Sequence, residues 1–251
     1  MTSLREHLIA HGLDEIQAEV WENFTDAVLD AFAQAQQMLK STPYWEQYCA
    51  LKGAFLKVPK KKKKGSPQPA CPAEDGLTDA LGQCLNYIRK AVGVDHPLRK
   101  LEVAFSVQAQ IPTPFKIGRL SRRTDIKAES YCSTDAPELI FEAKLVRTDA
   151  DLPRYLGTDG LGRFIDPAAP YTKGPMGVLV AYTVSDSIAS WTTKILNSLN
   201  GPPALATSSA HVRVPSITET FLCSQVERPA LQLSPISMLH VVTAFVTHPP
   251  T

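Results

Sequence analysis

Ile140-Phe141-Glu142-Ala143-Lys144-Leu145-Val146 is the stretch on which the fold turns. Strand geometry sends successive side chains to opposite faces, so Glu142 and Lys144 share one face and Phe141, Ala143 and Leu145 the other. The alternation predicts a strand over residues 138–146. Its apolar flanks argue for burial, and a charged pair in a buried strand must be paired or coordinated to be tolerated. Upstream, Asp125 sits in a second alternating segment, residues 122–130, and Ser133-Thr134-Asp135-Ala136-Pro137 between them has turn chemistry. A hairpin would bring Asp125 beside Glu142.

Working outward, Leu77, Leu81, Leu85 and Ile88 are spaced as one face of a helix from Glu74 to about Val92, followed by an alternating strand at residues 101–107. Residues 177–184 form a continuous apolar run, the pattern of a strand covered on both faces. A helix is predicted over residues 185–199, capped by Ser185 and Asp186, with Ile188, Trp191, Ile195 and Leu199 on one face. Two late strands near residues 211–214 and 219–226 precede a last apolar segment, residues 236–246. At the other end, Ser3 and Glu6 form a capping-box signature for a short helix, and Leu13, Ile16, Val20, Phe24, Val28, Ala31, Ala35 and Leu39 mark a long amphipathic one. A further helical stretch, residues 44–56, leads into the lysine run Lys60 to Lys64 and Gly65-Ser66-Pro67-Gln68-Pro69. A block of like charges with Pro, Gly and Ser reads as a solvated tether. The chain therefore divides into an N-terminal helical region (1–58), a Lys/Pro-rich linker (59–73) and an α/β domain (74–251).

Two carboxylates and one lysine held together suit phosphodiester hydrolysis. Hard oxygen ligands hold Mg²⁺ or Mn²⁺, the ion polarises the phosphate and activates water, and the ammonium offsets transition-state charge. Carbonyls and water complete the shell, because Mg²⁺ rarely receives an all-protein cage. The plainer alternative for Glu142 and Lys144 is a solvated ion pair.

Asp125 followed by Glu142-Ala143-Lys144 after an apolar pair resembles the D…E-x-K signature of the PD-(D/E)XK, or restriction-endonuclease-like, nuclease superfamily, although Thr124 replaces the proline before the Asp. The order helix, strand, hairpin, helix, strand from Glu74 to about Val226 is compatible with its core. The resemblance implies an α/β fold with a mixed central sheet flanked by helices. It implies Asp125 and Glu142 as metal ligands, Lys144 positioning or activating the attacking water, and an acidic residue opening the first core helix, Glu74 or Asp75, joining them. The segments around Arg154-Tyr155-Leu156-Gly157, Arg163-Phe164-Ile165, Tyr171 and Gly174-Pro175-Met176-Gly177 also look like nuclease-like proteins of bacterial antiphage systems, which suggests a helicase, translocase or other defence-system subunit as partner. Among the basic residues near the signature, Arg122, Arg123 and Lys127 are candidates for nucleic-acid contacts, with Arg147 and Arg154 also close in sequence; surface charges balancing nearby acids are the alternative.

Composition narrows the remaining classes. With 251 residues, 44% hydrophobic and 20% charged, the chain can bury a sizeable core. Lys plus Arg number 26 against 25 Asp plus Glu, so no global basic field draws polyanions and any such site must be local. DNA is favoured over RNA as substrate. Five widely spaced cysteines without a C-x-x-C pair read as reduced structural thiols, and no H-E-x-x-H or G-x-S-x-G occurs. Gly157-Thr158-Asp159-Gly160-Leu161-Gly162 lacks the G-K-[ST] ending of a phosphate loop. No apolar run spans a membrane and no signal peptide is recognisable, so a cytoplasmic protein is expected. The alternative function is a non-catalytic nuclease-like adaptor that docks on a partner protein through its N-terminal helices.

Overall fold

The computed structural model describes residues 2–41, 43, 56–57, 71–111, 122–133, 135–184 and 187–245. One mixed eight-stranded sheet organises it: β1 (Thr2–Ser3), β2 (Ala104–Val107), β3 (Ile126–Glu129), β4 (Glu138–Val146), β5 (Met176–Thr183), β6 (Ser208–Arg213), β7 (Phe221–Val226) and β8 (Ile236–Ala244), in the spatial order β1, β6, β7, β8, β5, β4, β3, β2. β4, β5 and β8 are parallel at the centre. β2, β3 and β4 form an antiparallel meander on one side, and β6, β7 and β8 another on the other.

Helices cover both faces. On one lie α1 (Leu4–Ala10), α2 (Glu15–Lys40) and α3 (Glu74–Ala91), with the short α4 (Pro97–Lys100), sharing a core that includes Phe24, Phe32, Leu81, Phe141 and Val180. On the other lie α5 (Leu152–Leu156), α6 (Gly162–Ile165) and α7 (Ile188–Asn200), packed on Ile140, Leu179 and Met238 through Tyr155, Phe164 and Trp191. Buried at every position, β5 answers to the unbroken apolar run that encodes it. No helix among the described residues is long and apolar enough to cross a membrane.

The N-terminal helical region expected over 1–58 is continuous with the rest of the fold. β1 pairs in parallel with β6, and α1 and α2 enter the same core as α3, so these helices are one cover of the sheet. Both helix starts follow from their sequences. Glu6 N donates to Ser3 Oγ at 3.1 Å and Ser3 N to Glu6 Oε2 at 2.8 Å, while Asp14 and Gln17 do the same for α2. The buried face of α2 runs through Phe24, Val28, Ala31, Phe32, Ala35 and Leu39. Around the helix Ile16 and Val20 lie within about 20° of the buried Ala27 and Ala31, respectively, but they stand in its first two turns, where of residues 15–23 only Ala18 is buried. They are 77% and 44% exposed, against the face expected of them.

Several boundaries shift. Residues 44–55 and 58–70, which carry most of the expected second helix and the lysine run, lie outside the described residues. At Leu56–Lys57 the chain is extended and pairs antiparallel with Cys71–Pro72. The strand expected at residues 101–107 starts only at Ala104, because His96 caps α4 through Leu98 N and Val103 N donates back to Leu98 O. Ser185 and Asp186 also lie outside the described residues; Ser187 caps α7, accepting from Ser190 N at 3.1 Å. The last apolar segment is β8.

Close packing on β5 depends on Gly177. A Cβ there would stand 2.5 Å from Phe164 Cε1 and 3.0 Å from Met238 Cε. Phe164 is fully buried and held edge-on against Tyr171, with ring centroids 5.5 Å apart. Gly177→Ala is therefore expected to cost about 1–3 kcal/mol of overpacking strain, read as a lower denaturant midpoint; an unchanged midpoint would show that the ring yields freely.

Candidate active site

The antiparallel ladder between β3 and β4 ends at Ile126 opposite Phe141, whereas β4 continues beside β5 to Val146. Asp125, the residue preceding β3, thus lies across from Glu142. From there on β4 is bonded on one side only, and its outward amides need acceptors. Carboxylates supply them. Ala143 N donates to Asp125 Oδ2 at 2.6 Å, and Leu145 N donates to Glu74 Oε2 at 2.7 Å. Glu74 is the first residue of α3 and reaches the open edge of β4 from the opposite layer.

Lys144 binds this group together. Its Nζ donates to Glu142 Oε1 and, at 2.9 Å, to Ala143 O, and stands 3.6 Å from Glu74 Oε1. The other cation is Arg154 of α5, whose Nη2 donates to the same Glu74 oxygen at 2.8 Å. Glu142 and Lys144 are both buried, so the solvated ion pair is excluded for them.

Burial dominates the electrostatics. It pushes Asp125 up to about 6, against the pull of Lys144 and the Ala143 amide. Burial and then the charge of Asp125 push Glu142 up to about 7, although Lys144 draws it down. Burial opposes the charge on Lys144, but Glu142, Glu74 and Asp125 more than offset it and hold the ammonium above its ordinary range. The cluster sets three carboxylates, Asp125, Glu142 and Glu74, against two cations, Lys144 and Arg154, and the lysine keeps its proton.

Of the two acids opening α3, Glu74 joins the site. Asp75 is exposed and reaches Asp125 only as negative potential. The basic candidates divide. Arg122 is bound to Asp166 and, at 2.8 Å, to Ala169 O, and Lys127 bridges Glu129 at 2.5 Å and Glu138 at 3.1 Å, so both are engaged within the fold. Arg123 is exposed, in a short ribbon that pairs Arg122–Arg123 with Gln110–Ile111. Arg147 pairs with Asp151 at 3.3 Å.

Tyr171 and Tyr182 flank the cluster, and only the fold reveals it. The Tyr171 hydroxyl donates to Arg123 O at 2.8 Å and lies against Glu142, and burial followed by Glu142 holds its phenol above the ordinary range. The Tyr182 hydroxyl meets Thr78 Oγ1 at 3.2 Å. Tyr182 could have been suspected from its polar tip within the apolar run of β5; Tyr171 lies in a loop and leaves no periodic trace.

Elsewhere, His240, His7 and Cys223 are packed in their neutral forms. His240 sits between Tyr155 Oη at 3.0 Å and Ser224 Oγ at 2.8 Å, and burial lowers it to about 3. His7 of α1 and His11, its C-cap one turn on, have tilted rings with centroids 4.3 Å apart, and His7 Nε2 lies 3.3 Å from Cys223 Sγ. Burial, with His11, lowers His7 to about 4 while burial raises the Cys223 thiol, the reverse of an activated thiolate. Gly157 to Gly162 folds on itself, the amides of Gly160 and Gly162 both donating to Gly157 O.

Among the described residues no three His, Cys, Asp or Glu side chains gather at metal-ligand spacing, since Lys144 stands between Glu142 and Glu74. The donor set still suits a hard cation: Asp125 and Glu142 offer buried carboxylate oxygens whose desolvation the charge of Lys144 does not offset. Comparison of the chain with protein-family models, with curated proteins and with solved structures gives no match.

Proposed function

We propose that the chain is a metal-dependent nuclease of the restriction-endonuclease-like class, hydrolysing phosphodiester bonds, with DNA favoured over RNA. The observation that carries this reading is the meeting of Asp125, Glu142, Lys144 and Glu74 where β3 leaves β4. Asp125 and Glu142 would hold Mg²⁺ or Mn²⁺. Such an ion, when bound, polarises the phosphate and makes water nucleophilic near neutral pH. Lys144 keeps its proton, so its part is to orient water by hydrogen bonding and to offset charge building on the phosphate oxygens, not to accept a proton. Glu74 positions Lys144 and ties the end of α3 to β4. With a net charge of +1, affinity for nucleic acid rests on local cations, which favours delivery of the strand by a helicase, translocase or other subunit, in the setting of bacterial antiphage defence.

Plasmid, linear duplex and single-stranded DNA incubated with Mg²⁺, Mn²⁺ or chelator test the reading, with Asp125→Asn run alongside. Cleavage that requires metal and is lost in a folded Asp125→Asn protein is the expected result; identical traces for both proteins would overturn it. The exposure of Ile16 and Val20 on α2 favours a second reading, a non-catalytic adaptor docking through that helix. It predicts those identical traces.

A further inference from the structure

We infer that Arg154 is a substrate-binding residue of the proposed site, gripping a phosphate of the nucleic-acid strand next to the scissile one; this rests on the nuclease reading. Of the cations that sequence places nearest the signature, Arg122 is engaged by Asp166 and Ala169 O and Lys127 by Glu129 and Glu138, while Arg123 is exposed on the short ribbon paired with Gln110–Ile111. Among the described residues Arg154 is the charged group that joins the cluster from the rim, its side chain 51% exposed while Glu74 is 16% exposed and Lys144 7%. One guanidinium nitrogen serves Glu74, and the planar fork has further donors suited to phosphate oxygens.

The helix that presents it is well anchored. Leu152, Tyr155 and Leu156 of α5 are buried, and Tyr155 Oη donates to Leu179 O in the central strand at 3.2 Å. Behind α5, Leu161 N donates to Tyr155 O at 3.0 Å, so the chain that leaves the helix is tied back to it. A guanidinium carried on such a support loses little further freedom on meeting an anion. The ion pair with Glu74 places it within one side chain of Lys144, so a phosphate held by Arg154 has its neighbour at the reacting cluster.

Binding of fluorescein-labelled single-stranded and duplex oligonucleotides, followed by anisotropy in chelator across a salt series, tests this without cleavage. Arg154→Ala should weaken binding by about tenfold and lower the slope of log affinity against log salt by about 1, with the thermal midpoint showing that the variant is folded. Glu74→Gln, which removes the ion pair and keeps the guanidinium, should retain the wild-type slope. Equal affinities and slopes for Arg154→Ala and wild type, in a wild-type protein that cleaves, would overturn the inference and leave the nuclease standing. Loss of slope in Glu74→Gln equal to that in Arg154→Ala would make Arg154 a positioning residue for Glu74 and overturn substrate contact. A wild-type protein that neither binds nor cleaves any of the probes would overturn both.

Discussion

Lys144→Ala is expected to lower cleavage by about 10²- to 10³-fold, the usual loss when one preorganised charge facing the reacting group is removed. The effect is large because the ammonium is buried, where its interaction with charge on the phosphate is little screened. Its partners define what else changes. Glu142 and Glu74 lose their shared cation, and removing one member of a buried pair ordinarily destabilises by about 3–5 kcal/mol. Protonation relieves part of that here, since Glu142 already stands at about 7 with Lys144 in place and moves further up without it. The variant should therefore fold near pH 6 with a reduced melting temperature and lose stability at pH 8. Cleavage rates in Mg²⁺ with far-UV circular dichroism on the same samples check the prediction, and a folded variant cutting at the wild-type rate would remove Lys144 from the chemistry.

Local patterns in this chain are legible where one physical effect decides them. β4 was readable to its ends because alternation, burial and the need to pair two charges all act on the same nine residues. β5 and α3 followed from an unbroken apolar run and from a four-residue repeat. Asp125 and Glu142 could be placed side by side because a hairpin fixes register between near neighbours in sequence. What sequence could not supply was long-range. The choice of Glu74 over Asp75 depends on how the start of α3 meets the open edge of β4, where a backbone amide, Leu145 N, selects the carboxylate that reaches it. The entry of β1 into the sheet beside β6 spans nearly the whole chain and rests on two residues without a strand pattern. Ile16 and Val20 obey the periodicity and share a side of α2 with the buried Ala27 and Ala31, yet they stand in its first two turns, where little packs on the helix. The engagement of Arg122 by Asp166 and of Lys127 by Glu138 joins separate segments and leaves no local trace, although Glu129, the other partner of Lys127, lies two residues along the same strand.

Divalent metal should stabilise the protein more at pH 8 than at pH 5, because the site holds two carboxylates whose charged forms the fold disfavours. The sign follows from the direction of each shift. Asp125 and Glu142 are raised above their unfolded values to about 6 and about 7, so the folded state binds protons more tightly than the unfolded chain. Their favourable contribution is complete below about pH 4 and is lost as pH rises through 6 and 7. For a single group raised by about two pH units the loss is about 3 kcal/mol, and the two losses are not additive because each charge raises the other. Glu129, Asp151 and Asp166 are lowered in the folded state and act in the opposite sense only at more acid pH, whereas His7 and His240, lowered to about 4 and about 3, add stability as pH rises towards the ordinary histidine value and oppose the carboxylates inside this window. A divalent cation bound by Asp125 and Glu142 reverses the penalty, since it favours both charged forms, and by mass action stabilises the protein most where both are ionised. The gain in thermal midpoint on adding Mg²⁺ or Mn²⁺ to the chelated protein should therefore be larger at pH 8 than at pH 5. Asp125→Asn and Glu142→Gln should lift the pH 8 midpoint in chelator relative to that at pH 5, since the contribution of His7 and His240 is then unopposed, and should abolish the response to metal. A wild-type midpoint that ignores metal at pH 8 would mean that Lys144 already satisfies the two carboxylates, which is the electrostatics of an adaptor and not of a nuclease.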